Sequence, residues 1–72
     1  MDTASLDAAA RRYQEAEVAL ATARLALQAE AVAALRAGTK QVDVVRATGW
    51  TREYLRKLRS AADKRDAEAA EN

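Results

Sequence analysis

The chain contains no cysteine and no histidine. That excludes disulfides, the commonest zinc ligand sets, and the side chains most used for acid–base and nucleophilic work near neutral pH. No carboxylate spacing matches a calcium loop, and no glycine-rich phosphate loop is present. Proline is absent and glycine occurs only at Gly38 and Gly49, so the backbone is interrupted at two marked places. The longest unbroken apolar run is too short to span a bilayer. Asp2 and Asp7 stand where a secretory signal would be basic, so a cytoplasmic, nucleoid-associated location is expected. These absences argue against an enzyme. They imply no cofactor, no metal, no membrane and no small-molecule substrate.

What is present, over 72 residues, is alanine, leucine, arginine, glutamate and glutamine in long runs. Half of the chain is apolar, but much of that is alanine, which favours helix and contributes little burial. An all-α protein with a thin core is expected. The net charge of +1 conceals an uneven distribution. Residues 1–38 set Arg11, Arg12, Arg24 and Arg36 against five carboxylates, about −1. Residues 39–65 set eight cations against Asp43, Glu53 and Asp63, about +5. Asp66, Glu68 and Glu71 make the tail acidic. One concentrated basic stretch is the electrostatic footprint expected of a phosphate-binding surface.

The pattern predicts three helices in three segments. Residues 1–38 form a long N-terminal helix from about Thr3 to Ala37, roughly 50 Å at 1.5 Å per residue. Thr3 or Ser5 caps its start, Arg36 complements its dipole and Gly38 stops it. Within it Leu6, Tyr13, Leu20 and Leu27 recur every seven residues, and Ala9, Ala16 and Ala23 follow three positions later. This is a heptad-like seam of large and small residues. Val18, Leu25 and Val32, with Leu35, form a second stripe on another face. The seam Leu6, Tyr13, Leu20 and Leu27 is assigned to a second copy of the chain, and the Val32–Leu35 end to covering the C-terminal helices. The alternative is a compact three-helix bundle that buries both stripes. Residues 39–60 are too few to cover so long a helix, which favours the homodimer.

Residues 39–65 hold two shorter helices. Thr39 is expected to cap the first and Gly49 to end it, with Thr51 capping the second. Residues 66–72 carry no large apolar side chain and are expected to fray.

Residues 41–58 read QVDVVRATGWTREYLRKL. Gln41 opens a short helix, Val44 and Val45 face inward, and Gly49 supplies the turn. Trp50 follows with a large apolar group, Thr51 caps, and Leu55 and Leu58 face inward again. This pattern resembles the helix-turn-helix of bacterial transcriptional regulators, found also in sigma factor region 4 and in resolvase DNA-binding domains. It covers about a quarter of the chain directly. The family most often carries alanine where Val45 stands.

The resemblance implies a sequence-specific regulator of bacterial, phage or plasmid origin, a repressor among the possibilities. It would act as a homodimer on double-stranded DNA, with residues 51–60 in the major groove. By the same resemblance, base edges fall to Thr51, Arg52, Glu53 and Arg56. Arginine can pair with guanine, and glutamate can accept from cytosine. Phosphates fall to Lys40, Gln41, Lys57, Arg59 and Ser60, with Lys64 and Arg65 extending that contact. Plainer roles compete at several positions. Glu53 and Lys57 are spaced to pair on the helix surface. Trp50 belongs to the core, Asp43 to the solvent face, and Tyr54 either packs on the first helix or reaches a phosphate. An architectural DNA binder without sequence preference and a helical adaptor for the transcription machinery are the competing functions.

Overall fold

The computed structural model describes residues 2–71; Met1 and Asn72 lie outside it. It is all-helical: α1 (Ala4–Arg36), α2 (Gln41–Thr48) and α3 (Arg52–Ala70). The long first helix and the two shorter ones agree with the sequence reading.

Gly38 terminates α1 at φ +93°. The Gly38 amide donates to Leu35 and the Thr39 amide to Ala34, at 3.1 and 3.0 Å. This double closure satisfies two terminal carbonyls of α1. It also corrects the expected role of Thr39. Its N–H completes α1, and the residue at the N-cap of α2 is Lys40, which makes no side-chain cap bond. Thr3 likewise occupies the N-cap of α1 without capping. Its hydroxyl donates to Asp7, and Asp2 Oδ1 accepts the Ala4 amide at 2.9 Å in its place.

The core lies where the three helices meet. Leu55 of α3 is fully buried, and Ala31 of α1 and Val44 of α2 are nearly so. Ala34, Leu35, Val45, Trp50 and Leu58 pack around them. Val32 and Ala62 are also buried, on the α1 and α3 sides respectively. These positions recur at helical spacing on one face of each element, so the pattern in the sequence is the pattern of burial.

Everything N-terminal to about Leu27 projects beyond this core. The molecule measures 57 × 36 × 17 Å, with a radius of gyration of 17.7 Å. A compact domain of this length would give about 11 Å. Leu6, Tyr13 and Leu20 are 69, 67 and 59% exposed, and Val18 and Leu25 are equally open. The compact bundle burying both stripes is therefore not the fold of this chain. By length and composition α1 is apolar enough to cross a membrane. Isolated charges interrupt this helix, which is otherwise mostly alanine and leucine, so its apolar character is not concentrated in one unbroken run.

The expectation that the tail frays from Asp66 is also corrected: α3 continues to Ala70. Arg36 Nη2 reaches Asp63 Oδ1 at 2.6 Å and Asp66 Oδ2 at 2.9 Å. The C-terminal half of α3 is thus tied to the end of α1 by charge, and no glycine or proline breaks it.

Candidate nucleic-acid interface

The junction of α2 and α3 is built from three residues with separate tasks. Gly49 takes the left-handed conformation, φ +76°, and its amide donates to Val45 at 2.8 Å. A β-carbon there would meet nothing within 4 Å, so backbone conformation and not crowding explains the glycine. Trp50 is half-buried against the core and meets Tyr54 edge-on, with ring centroids 5.0 Å apart. Thr51 caps α3 by accepting the Tyr54 amide at 3.1 Å. Thr48, which the sequence reading passes over, closes the turn from the other side. Its hydroxyl donates to the Val44 carbonyl at 2.8 Å and accepts the Trp50 amide at 3.1 Å. A threonine directly before the turn glycine is the available signal.

This turn sets which side of α3 faces out. Leu55, Leu58 and Ala62 point inward. Thr51, Arg52, Glu53, Arg56, Lys57, Arg59 and Ser60 are all exposed, as are Lys40 and Gln41 at the start of α2. Gln41, Arg56, Arg59 and Ser60 come together along one shallow groove of about 410 Å³, whose lining also includes Leu35 and the carboxylate of Asp63. Two predicted phosphate ligands from α3 and one from α2 thus lie beside one predicted base reader. Lys57 is not part of this groove; it stands on the outer line of α3.

The cations divide into engaged and open groups. Arg56 donates twice to Glu53, from Nη2 at 2.7 Å and from Nε at 3.2 Å. The hydrogen bond, then the charge, of Arg56 holds the Glu53 carboxyl below its ordinary value of 4.5, and Glu53 raises Arg56 in the same way. Lys57 lies farther from Glu53, at 3.9 Å. Glu53 therefore pairs with both, most closely with Arg56 and more loosely with the Lys57 that helical spacing suggests. Arg46 pairs with Asp43, whose side chain is 46% exposed and faces solvent as expected. Among the described residues, Lys40, Arg52, Arg59, Lys64 and Arg65 enter no ion pair.

Tyr54 packs toward α1, where its hydroxyl oxygen accepts from Gln28 Nε2 at 2.8 Å. That contact, like the Arg36 clamp, joins residues more than twenty positions apart and has no local sequence signature. Among the described residues no group of three His, Cys, Asp or Glu side chains is placed to hold a metal ion.

The chain matches no family model, no curated protein and no solved structure.

Proposed function

We propose that this protein is a homodimeric, sequence-specific double-stranded DNA-binding regulator that sets the first turns of α3 into the major groove. The observation that carries this reading is the sidedness of α3. Its inner line is anchored by fully buried Leu55, while Arg52, Arg56, Lys57 and Arg59 all stand on exposed surface next to a capped and freely accessible N-terminus. A helix presented this way, by a second helix and a glycine turn, is the geometry that reads base edges.

Division of labour follows from position. Arg52 and Arg56 sit on the early turns, where side chains reach base edges. Glu53 holds Arg56 in a bidentate pose before contact. That pair is exposed on both sides, so water screens it and guanine acceptors can replace the carboxylate. Gln41, Arg59 and Ser60 line the groove beside Arg56, and Lys40 stands at the start of α2. These groups suit the phosphates that flank the site and fix its register.

The Glu53–Arg56 pair also favours a second reading. With its central arginine half-neutralised, α3 retains mainly phosphate-directed cations, as an architectural binder would. Competition separates the two: a labelled duplex carrying a selected site is displaced by random DNA. A sequence-specific binder prefers its site by at least about 10³-fold. Equal displacement by both favours the architectural function, and no binding to either at low salt removes DNA binding altogether.

A further inference from the structure

The free half of α1 carries a surface whose two sides do not match themselves but match each other in reverse. Large side chains (Leu6, Tyr13, Leu20, Leu27) occupy one position of the heptad, and alanines (Ala9, Ala16, Ala23) the other. The large ones are open to solvent. The alanine series is broken at Glu30, which takes the next equivalent position. Arg12, Glu17 and Arg24 flank the seam. Among the described residues, none of these four charged groups has an ion-pair partner in its own chain.

We infer that the partner of this seam is a second copy of the chain, running antiparallel, with the two-fold axis between Ala21 and Thr22. The inference rests on the homodimer reading above and fixes its orientation and register. Three observations carry it.

The first is shape. In an antiparallel pair the central leucines face alanines of the other helix, while Tyr13 faces Glu30. Leu20 meets the partner's Ala23, and Leu27 meets the partner's Ala16. These central layers then have a similar volume, and the helices approach closely there. A parallel, in-register pair would instead stack Tyr13 on itself and alanine on alanine, alternating crowded and empty layers.

The second is charge. This register sets Glu17 beside the partner's Arg24, twice by symmetry. It also brings Glu30 beside the partner's Arg12. A parallel pair would place Glu30 directly against its own copy, where like charges repel.

The third is a groove. Leu27, Ala31 and Ala34 of α1 and Val44 and Ala47 of α2 give a concavity of about 180 Å³ a mostly apolar surface, with Glu30 and Asp43 also in its lining. In the antiparallel register the partner's N-terminal half passes over it, with the partner's Tyr13 at the level of Glu30. A parallel pair would instead set two such grooves against each other, each with a Glu30 in its lining.

The arrangement has a consequence for DNA. The axis of an antiparallel pair runs perpendicular to both helices. The α1 face that packs α2 and α3 is about a quarter turn from the seam. Both helix-turn-helix units therefore project to the same side of the dimer. Ala31 and Val32, at the centre of that face, lie about 15 Å along α1 from the axis, so the two units are about 30 Å apart. That is close to one turn of B-DNA, the half-site separation of a symmetric operator.

The test uses the full chain, whose lack of native cysteine makes a single label site-specific. A spin label on Ala8→Cys, which is exposed, is expected to give a separation of about 40 Å across an antiparallel dimer. A separation under about 20 Å means a parallel dimer and overturns the inference while leaving the homodimer intact. Arg24→Glu and Glu17→Arg are each expected to raise the dimer dissociation constant roughly 3- to 30-fold, and together to restore it. Failure of the double variant to recover contradicts the register. A sedimentation mass that stays monomeric at all concentrations overturns both orientation and homodimer. So does a chain that leaves solution for neutral phosphatidylcholine vesicles, which would assign this face to lipid.

Discussion

Arg56 reaches back one helical turn to Glu53, engaging both carboxylate oxygens at 2.7 and 3.2 Å. This pair sits on the basic outer face of α3, and its fate on binding separates base reading from phosphate holding. Arg56→Ala is expected to lower affinity for a selected site roughly 10- to 100-fold and to relax base choice at one position. Lys57→Ala is expected to weaken all duplexes alike and to reduce the salt slope by about 1. Anisotropy titrations at several salt concentrations check both. Two variants that bind like wild type would show that α3 faces the wrong way.

Removing the acid is expected to act in the opposite sense on random DNA. Glu53→Gln eliminates a negative charge beside Arg56 and Lys57, so non-specific affinity rises several-fold while preference for the selected site falls. A pH dependence accompanies it. Because Arg56 holds the folded Glu53 carboxyl below its ordinary value of 4.5, the pair's small contribution to stability is fully present above that value. It is lost as pH falls through the lower folded value. The Tm difference between wild type and Glu53→Gln is therefore expected to be constant from neutrality down to about 4.5 and to shrink below it. A difference that grows on acidification would contradict the pairing.

Gly49 offers the simplest test of the turn. A β-carbon at Gly49 meets no neighbour, so Gly49→Ala isolates the conformational term of a left-handed residue, about 1–2 kcal/mol. Gly49→Asn is expected to cost less, since asparagine adopts this region more readily. Thermal melts read both. Equal stability of the alanine variant and wild type would mean the turn relaxes.

Leu55 and Leu20 provide a contrast between the two kinds of leucine. Leu55 has no exposed surface, and Leu55→Ala is expected to cost about 2–5 kcal/mol, a large part of the stability of so small a core. Leu20 is 59% exposed. Leu20→Asp is expected to leave the helical signal of the monomer intact while dispersing the dimer and abolishing the concentration dependence of Tm. Calorimetry over a wide range of protein concentration distinguishes them.

The clamp at the other end of α3 is open to hydrogen exchange. Arg36→Ala removes the hydrogen bonds to Asp63 and Asp66. Faster exchange is expected from Asp63 to Ala70, with no change at Leu55 and Leu58. Uniform acceleration along α3 would show that the clamp supports the core as well.

Much of this architecture is legible in the sequence because its determinants are local. Gly38, Gly49 and Thr51 each act within a few residues, and the inward positions Val44, Leu55 and Leu58 declare themselves by helical spacing. The misreadings have two causes, the path of the chain out of α1 and contacts distant along the sequence. Thr39 has the chemistry of a cap, but the closure of α1 uses its amide, a bond that depends on how the chain leaves Gly38. The tail reads as unsupported because Arg36 lies 27 and 30 positions away from the carboxylates it holds. Tyr54 is ambiguous for the same reason, its partner Gln28 being 26 positions distant. Within the candidate interface the exposed groups of α3 are readable as a set. That Arg56 holds Glu53 more closely than Lys57 does is not, since both spacings are permitted on a helix and only side-chain geometry ranks them.

Selection of bound fragments from random duplex DNA, using the full chain at moderate salt, tests the central claim most directly. The expected result is enrichment of an inverted repeat with half-sites about one helical turn apart, lost in Arg56→Ala. A bound pool with no shared motif, or no bound pool even at low salt, would contradict it.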